Sequence, residues 1–205
     1  MFGEMSVENF LAQTASKNPV PGGGSIAAIS AGLSAALIQM VANLTIGKKG
    51  FEEVETQMIR ISELAEVHRV RFIKFIDEDS EAFNKVMGSF KLPKETEDEK
   101  KLRSVAIQEG FKYAALVPLE IAKNAFELMD LAKVVISKGN QNAVTDGAVA
   151  TMMARTAVLS ALYNVKINLG SIKDVAFVAD VSKQVEELES KVSLAEKSIL
   201  DTVKL

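Results

Sequence analysis

Two short stretches of this chain hold residue types that can do chemistry. The first is D-E-D-S-E-A-F at 77–83, two aspartates inside a segment patterned as a helix. Its apolar stripe runs Ile61, Leu64, Ala65, Phe72, Phe75, Ile76, Ala82, Phe83, Val86. At about 100° per residue, position 79 falls in the middle of that stripe, and Asp77 lies roughly 200° from it. Asp77 is expected to be solvated or ion-paired, and Asp79 to point at the core or at a cleft within it. Burying an unpaired carboxylate costs several kcal/mol unless its pKa rises or a partner is supplied. A raised pKa suits general acid–base catalysis near neutral pH; an aspartate satisfied by helix N–H groups or by an arginine is the structural alternative.

The second stretch is P-V-P-G-G-G-S at 19–25. Gly22, Gly24 and Ala27 match the G-x-G-x-x-A spacing of a dinucleotide loop. That loop needs a preceding buried strand within a βαβ unit, and S-K-N-P-V-P is no strand. A phosphate loop, G-x-x-x-x-G-K-[ST], is also absent. What remains is a run of glycines ahead of a helix, with Ser25 as its expected N-cap, where backbone N–H groups can approach a carboxylate, a phosphate or a polar heterocycle. A tight turn between closely packed helices reads the same way. Three successive glycines lose about 1 kcal/mol each relative to alanine, more than a simple turn requires.

Other polar groups sit in apolar company. Gln39 and Asn43 are four apart on an uncharged helix, and Asn164 and Asn168 repeat that spacing in N-V-K-I-N-L. Asn140, Thr145 and Asp146 open a later helix, where Asp146 suits the dipole and capping. Lys91, Lys94 and Arg103 are cations near a loop, able to hold an anionic substrate or simply solvated. His68 lies on the apolar stripe, about 16 Å along the axis from Asp79, and reads as a satisfied core residue.

The elements that must position these groups are helical. Ser6 caps a first helix to about Ser16; the Pro/Gly run breaks it; a second helix follows with Ile26, Ile29, Leu33, Leu37, Met40, Val41 and Leu44 on one face. Its other face is Ala, Ser and Gly, so it is expected to be surrounded by protein, partly at a subunit interface. A third helix covers 52–87, with a loop from Gly88 to Lys94. Thr96 and Glu99 form a capping box for a fourth that kinks at Pro118 and ends near Gly139. A fifth runs from Ala143 to Asn168, and Ser171 with Asp174 opens the last. No strand pattern, repeat or linker interrupts this. The expected fold is an all-α, single-domain bundle of about six helices over 1–205.

Composition narrows the function. The chain has 205 residues, no cysteine, one histidine and a net charge of −3. Disulfides, thiolate zinc sites, a cysteine nucleophile and a multi-histidine metal site are excluded, and without a basic patch no nucleic-acid partner is expected. Residues 22–47 carry no charge and are long enough to span a bilayer, but their Ala, Ser, Gly, Gln39, Asn43 and Thr45 favour a buried helix over a membrane one. With no basic stretch at the N-terminus, a cytoplasmic location is expected.

Taken in order, P-x-P-G-G-G-S at 19–25, M-V-A-N-L-T at 40–45, D-x-D-x-x-A-F at 77–83, K-L-P-K at 91–94, V-P-L at 117–119, G-N at 139–140 with Asp146, and N-V-x-I-N-L at 164–169 make a pattern. The chain resembles the cyclodeaminase/cyclohydrolase family of folate one-carbon enzymes over nearly its whole length. The resemblance implies a homodimer formed by helix packing, with folate, carrying or lacking a polyglutamate tail, bound near the subunit interface. It implies action on the N5–N10 bridge of tetrahydrofolate, as formimidoyltetrahydrofolate cyclodeaminase or methenyltetrahydrofolate cyclohydrolase, with no cofactor or metal beyond the folate substrate. An aspartate of the D-x-D segment is the implied catalytic group; Asp77 and Asp79 both qualify, and the stripe prefers Asp79. Gly22, Gly23, Gly24, Ser25, Asn43, Lys91, Asn140 and Asp146 are the expected substrate-binding residues. His68 matches no motif. A helical scaffold that binds folate or a protein without catalysis is the rival reading.

Overall fold

The structure, a computed structural model, describes residues 1–204. Six α-helices occur among them, α1 (Val7–Thr14), α2 (Gly23–Asn43), α3 (Glu55–Phe90), α4 (Glu97–Lys138), α5 (Val144–Leu169) and α6 (Val175–Leu200), with short 3₁₀ turns at Phe2–Glu4, Glu52–Val54 and Gln141–Ala143. There is no strand among the described residues. The uncharged α2 is the central element, packed against α3 on one side and α5 on the other, while α4 backs both α3 and α5.

The expected boundaries hold within a few residues, and the deviations have local causes. Thr96 and Glu99 form the capping box of α4. Asp174 alone caps α6, accepting from the Phe177 N–H, so Ser171 is not part of that cap. The third helix runs through Gly88 and reaches Phe90.

α4 continues through Pro118 as one helix. Proline has no N–H to give the carbonyl four residues back, which belongs to Ala114. A side chain from α5 supplies the missing donor: Asn168 Nδ2 reaches the Ala114 carbonyl at 2.8 Å.

Burial sorts α2 by side-chain size. Its fully covered residues include Ser25, Ala27, Ala28, Ala31, Ser34, Ala35, Ile38, Val41 and Ala42. Small side chains let α3 and α5 approach closely, and the Ser34 hydroxyl is satisfied at 2.8 Å by the Ala150 carbonyl. Most of its large residues face the other way; Ile38 and Val41 are the exceptions, fully buried with the small ones, so Val41 does not share the face expected for it. Leu33 is 51% exposed, and Ile26, Ile29, Leu37, Met40 and Leu44 lie beside it, none of them buried. α2 is also the one described helix long and apolar enough to cross a membrane; its small face is buried in the bundle.

Candidate active site

The glycine run is the first turn of α2, not a loop before it. Gly22 occupies the N-cap position without a side-chain cap, Gly23 and Gly24 are helical, and the Ile26 N–H closes the first turn on the Gly22 carbonyl at 3.0 Å. The expectation of Ser25 as N-cap is therefore corrected: it is the third helical residue, fully buried. The reason is a carboxylate from α3. A Cβ built on Gly24 would fall inside the Asp79 carboxylate group, so the absent side chain is what lets this acid seat against the positive end of α2.

Ser25 completes the seat. Its hydroxyl lies 2.9 Å from the Ile76 carbonyl, 3.1 Å from Asp79 Oδ2 and 3.2 Å from Ser80 Oγ. It has one proton to give. With the carboxylate ionised, Ser25 donates to Asp79. With Asp79 protonated, Ser25 can accept from it and donate to Ile76. Burial pushes the Asp79 carboxyl above the ordinary carboxylate range, and hydrogen bonding from the Ser25 side chain and backbone pulls it back only in part. The group is thus tuned toward carrying a proton, in contact with a partner that works in either state.

Asp79 opens onto a cavity of about 350 Å³. Pro19, Val20, Gly22 and Gly23 form one wall, Phe83, Val86, Met87 and Phe90 of α3 a second, and Phe111 and Ala114 of α4 with Asn164, Ile167, Asn168 and Ser171 the remainder. The volume lies within the range of small-molecule sites, and the lining is apolar apart from a few convergent polar groups. None of these residues is a lysine or arginine.

The other expected residues separate into four groups. Gly22 and Gly23 line the cavity, while Gly24 and Ser25 hold its carboxylate. Asp77 points away, as expected, but it is half-buried rather than solvated or ion-paired. It accepts from the backbone N–H of Phe2 at 2.6 Å and of Gly3 at 3.3 Å, pinning the N-terminal turn to α3. Asn43, Asn140 and Asp146 lie outside the cavity: Asn43 and Asn140 are at the far end of α2, about 30 Å along its axis, and Asp146 is in the first turn of α5, one turn before the Ala150 that meets Ser34 in the middle of α2. Asn43 accepts from the Ser62 hydroxyl at 2.7 Å. Asn140 ties the α4–α5 turn to the C-terminal end of α2, and Asp146 is half-buried in the first turn of α5. Within one chain, then, these three do not join the glycine-lined site. Lys91 is exposed just past Phe90, at the rim rather than in the lining.

His68 is half-buried, stacked on Phe72 and 3.6 Å from Glu127 on α4; burial lowers its pKa, and it is remote from the cavity. Two further residues belong in the site beyond those the sequence assigns to it, Asn164 and Asn168. Their spacing on an apolar helix was the available signal.

Residues 6–187 match the family model described as formiminotransferase-cyclodeaminase. The chain belongs to this family. Among its relatives is a methenyltetrahydrofolate cyclohydrolase of Methylorubrum extorquens, 42% identical over 204 residues, an alignment covering all of this chain and 98% of the relative. Another is the formimidoyltransferase-cyclodeaminase of Rattus norvegicus, 32% identical over 185 residues. That alignment takes in 90% of this chain but 34% of the rat protein, so the chain spans about a third of that larger family member. The crystal structure of formiminotetrahydrofolate cyclodeaminase from Thermotoga maritima superposes with a TM-score of 0.88 at 30% identity, covering 99% of this chain and 98% of that one. The all-α fold is thus the family's own.

Proposed function

We propose that this protein is a folate-dependent one-carbon enzyme that opens and closes the N5–N10 bridge of tetrahydrofolate, with methenyltetrahydrofolate as its substrate. The observation that carries the reading is the Asp79 carboxyl, seated where the Gly24 side chain would be and facing an aromatic cavity. The choice of hydrolysis over deamination rests on identity, since both relatives align nearly end to end: 42% to the Methylorubrum cyclohydrolase against 30% to the Thermotoga cyclodeaminase.

The step needs one group able to take a proton and return it. Water adds to the electron-poor methenyl carbon, and its proton passes to ionised Asp79 as the C–O bond forms. The adduct then loses its hydroxyl proton to solvent, the N5–C bond breaks, and Asp79 hands its proton to N5. Methenyltetrahydrofolate cation and water become 10-formyltetrahydrofolate and one released proton. Holding the bridge beside the carboxyl makes both transfers local, and a carboxyl raised toward neutral pH suits each direction. The phenylalanines pack on the pterin and aminobenzoyl rings, while the glutamate end lies at the rim near Lys91 and Arg103, where cations are available and the cavity itself has none.

A second copy of the chain is proposed to cover the large-residue face of α2, continuous with exposed Val67, Val70 and Ile73 of α3. A patch of this kind is unusual on a monomer. Light scattering should give twice the chain mass, and a Leu33→Glu variant should give one.

The deciding assay is loss of methenyltetrahydrofolate absorbance, run beside ammonia release from formiminotetrahydrofolate. Turnover of the first supports the proposal. Turnover of the second alone moves the activity to deamination. Folate binding by calorimetry without either turnover would overturn catalysis and leave a scaffold.

A further inference from the structure

Asn164 and Asn168 form a second, unassigned part of the cavity. Each amide is fixed by its nitrogen. Asn164 Nδ2 donates to the Ser160 carbonyl at 2.9 Å, and Asn168 Nδ2 donates to the carbonyls of Ala114 and Asn164, both at 2.8 Å. Backbone carbonyls accept only, so the two amides cannot be turned the other way round. Their Oδ1 atoms are left without a protein donor among the described residues, and neither is sealed from solvent. Both side chains line the cavity, and the Asn164 amide lies against Gly23, within 3.2 Å of where a Cβ there would put its carbon.

The Asn168 orientation traces to Pro118. Because that proline has no N–H, the Ala114 carbonyl is free inside α4, and Asn168 fills it. A backbone vacancy in one helix thereby sets the direction of an amide on another.

The wall made by Asp79, Asn164 and Asn168 is therefore rich in acceptors, with no lysine or arginine beside it. Asn168 sits one helical turn, about 6 Å, beyond Asn164. We infer that Asn164 and Asn168 read the N–H donor edge of the reduced pterin, and that Pro118 is a positioning residue for Asn168. This rests on the folate reading above and adds its specificity: a ring bearing an amino group and ring N–H donors is accepted, and one lacking them is refused. A site built to receive donors leaves its own oxygens unpaired when the donors are missing, which is an effective basis for discrimination.

The test pairs a ligand change with two protein changes. Methenyltetrahydrofolate and its 2-desamino-2-methyl counterpart are compared on the wild type, Asn168→Leu and Pro118→Ala. The wild type should favour the parent about tenfold in KM. Asn168→Leu should raise KM for the parent about tenfold, with a much smaller change in kcat, and should lose the preference between the two ligands. Pro118→Ala restores a backbone donor to the Ala114 carbonyl and releases Asn168, so KM should rise severalfold while helix content is kept. Equal handling of the two ligands by the wild type overturns the inference even if Asn168→Leu fails to fold. A wild type that discriminates, with both variants keeping that preference, overturns it as well. A wild type that turns over neither folate refutes the functional proposal first, and this one with it; normal turnover without discrimination refutes this one alone.

Discussion

The two ends of α2 are both polar and both packed, yet they treat their polar groups differently. At the C-terminal end, Asn140 accepts from Lys48 Nζ at 2.8 Å and donates to the Leu44 carbonyl at 3.1 Å, and its backbone N–H meets Thr45 Oγ1 at 2.9 Å. The Thr45 hydroxyl in turn donates to the Val41 carbonyl at 2.7 Å. Donors and acceptors there are paired inside the protein, which is how a joint is held. At the N-terminal end, Asp79 is raised in pKa and shares a single hydroxyl, and two asparagine oxygens face a cavity without a donor. Spare capacity at one end and saturation at the other separate a site from a scaffold more reliably than burial does.

Variants at the two ends should break the molecule in different ways. Asp79→Asn keeps the shape and removes the proton carrier, so kcat should fall about 10²-fold or more. Stability should move the other way. A carboxyl whose folded pKa is raised favours the native state while protonated, an advantage complete below the ordinary carboxylate pKa and lost as pH rises through the raised value. At neutral pH the Asn variant should therefore melt no lower than the wild type by calorimetry. The same titration predicts that kcat/KM of the wild type in the hydrolytic direction falls, on the acid side, at a pH above the ordinary carboxylate range; a flat profile through that region would reassign the base.

Gly24→Ala should be nearly as damaging to turnover. Alanine is the better helix former by roughly 1 kcal/mol, so circular dichroism should show intact helices, but the new methyl displaces the Asp79 carboxylate. A misplacement of about 1 Å is enough for a loss on the order of 10²-fold. At the opposite end, Thr45→Val removes the acceptor of a buried N–H and should cost about 1–3 kcal/mol in denaturant unfolding, with kcat within twofold of wild type. Asp77→Asn should have the smallest effect. It weakens the hold on the Phe2 and Gly3 amides, seen as faster hydrogen exchange at the N-terminus, and kcat should fall far less than in Asp79→Asn.

Much of this was legible in the chain. Helix periodicity placed the long elements, and the stripe separated the directions of Asp77 and Asp79, because both follow from 3.6 residues per turn. What periodicity cannot convey is which helix meets which. Ser25 resembled an N-cap because the capping acid comes from another helix, 54 residues later. Asp77 resembled a solvent-facing acid because its partners are the backbone of residues 2 and 3, which no side-chain pattern reports. Asn43, Asn140 and Asp146 were grouped with the glycines by shared motif membership, and within the chain they lie outside the cavity. Asn168 was visible only as an oddity, since its purpose depends on a proline 50 positions earlier.

The small-residue face of α2 has a mechanical consequence. The acid rides on α3 and its seat on α2, so the fit between them depends on how far apart two rods are held. Ala28, which shares a groove with Phe72 and Ile76, is one of the shims that set this gap. A bulkier side chain there touches no substrate, yet it would pry the rods apart and unseat the acid, making catalysis hostage to a methyl group a full turn away.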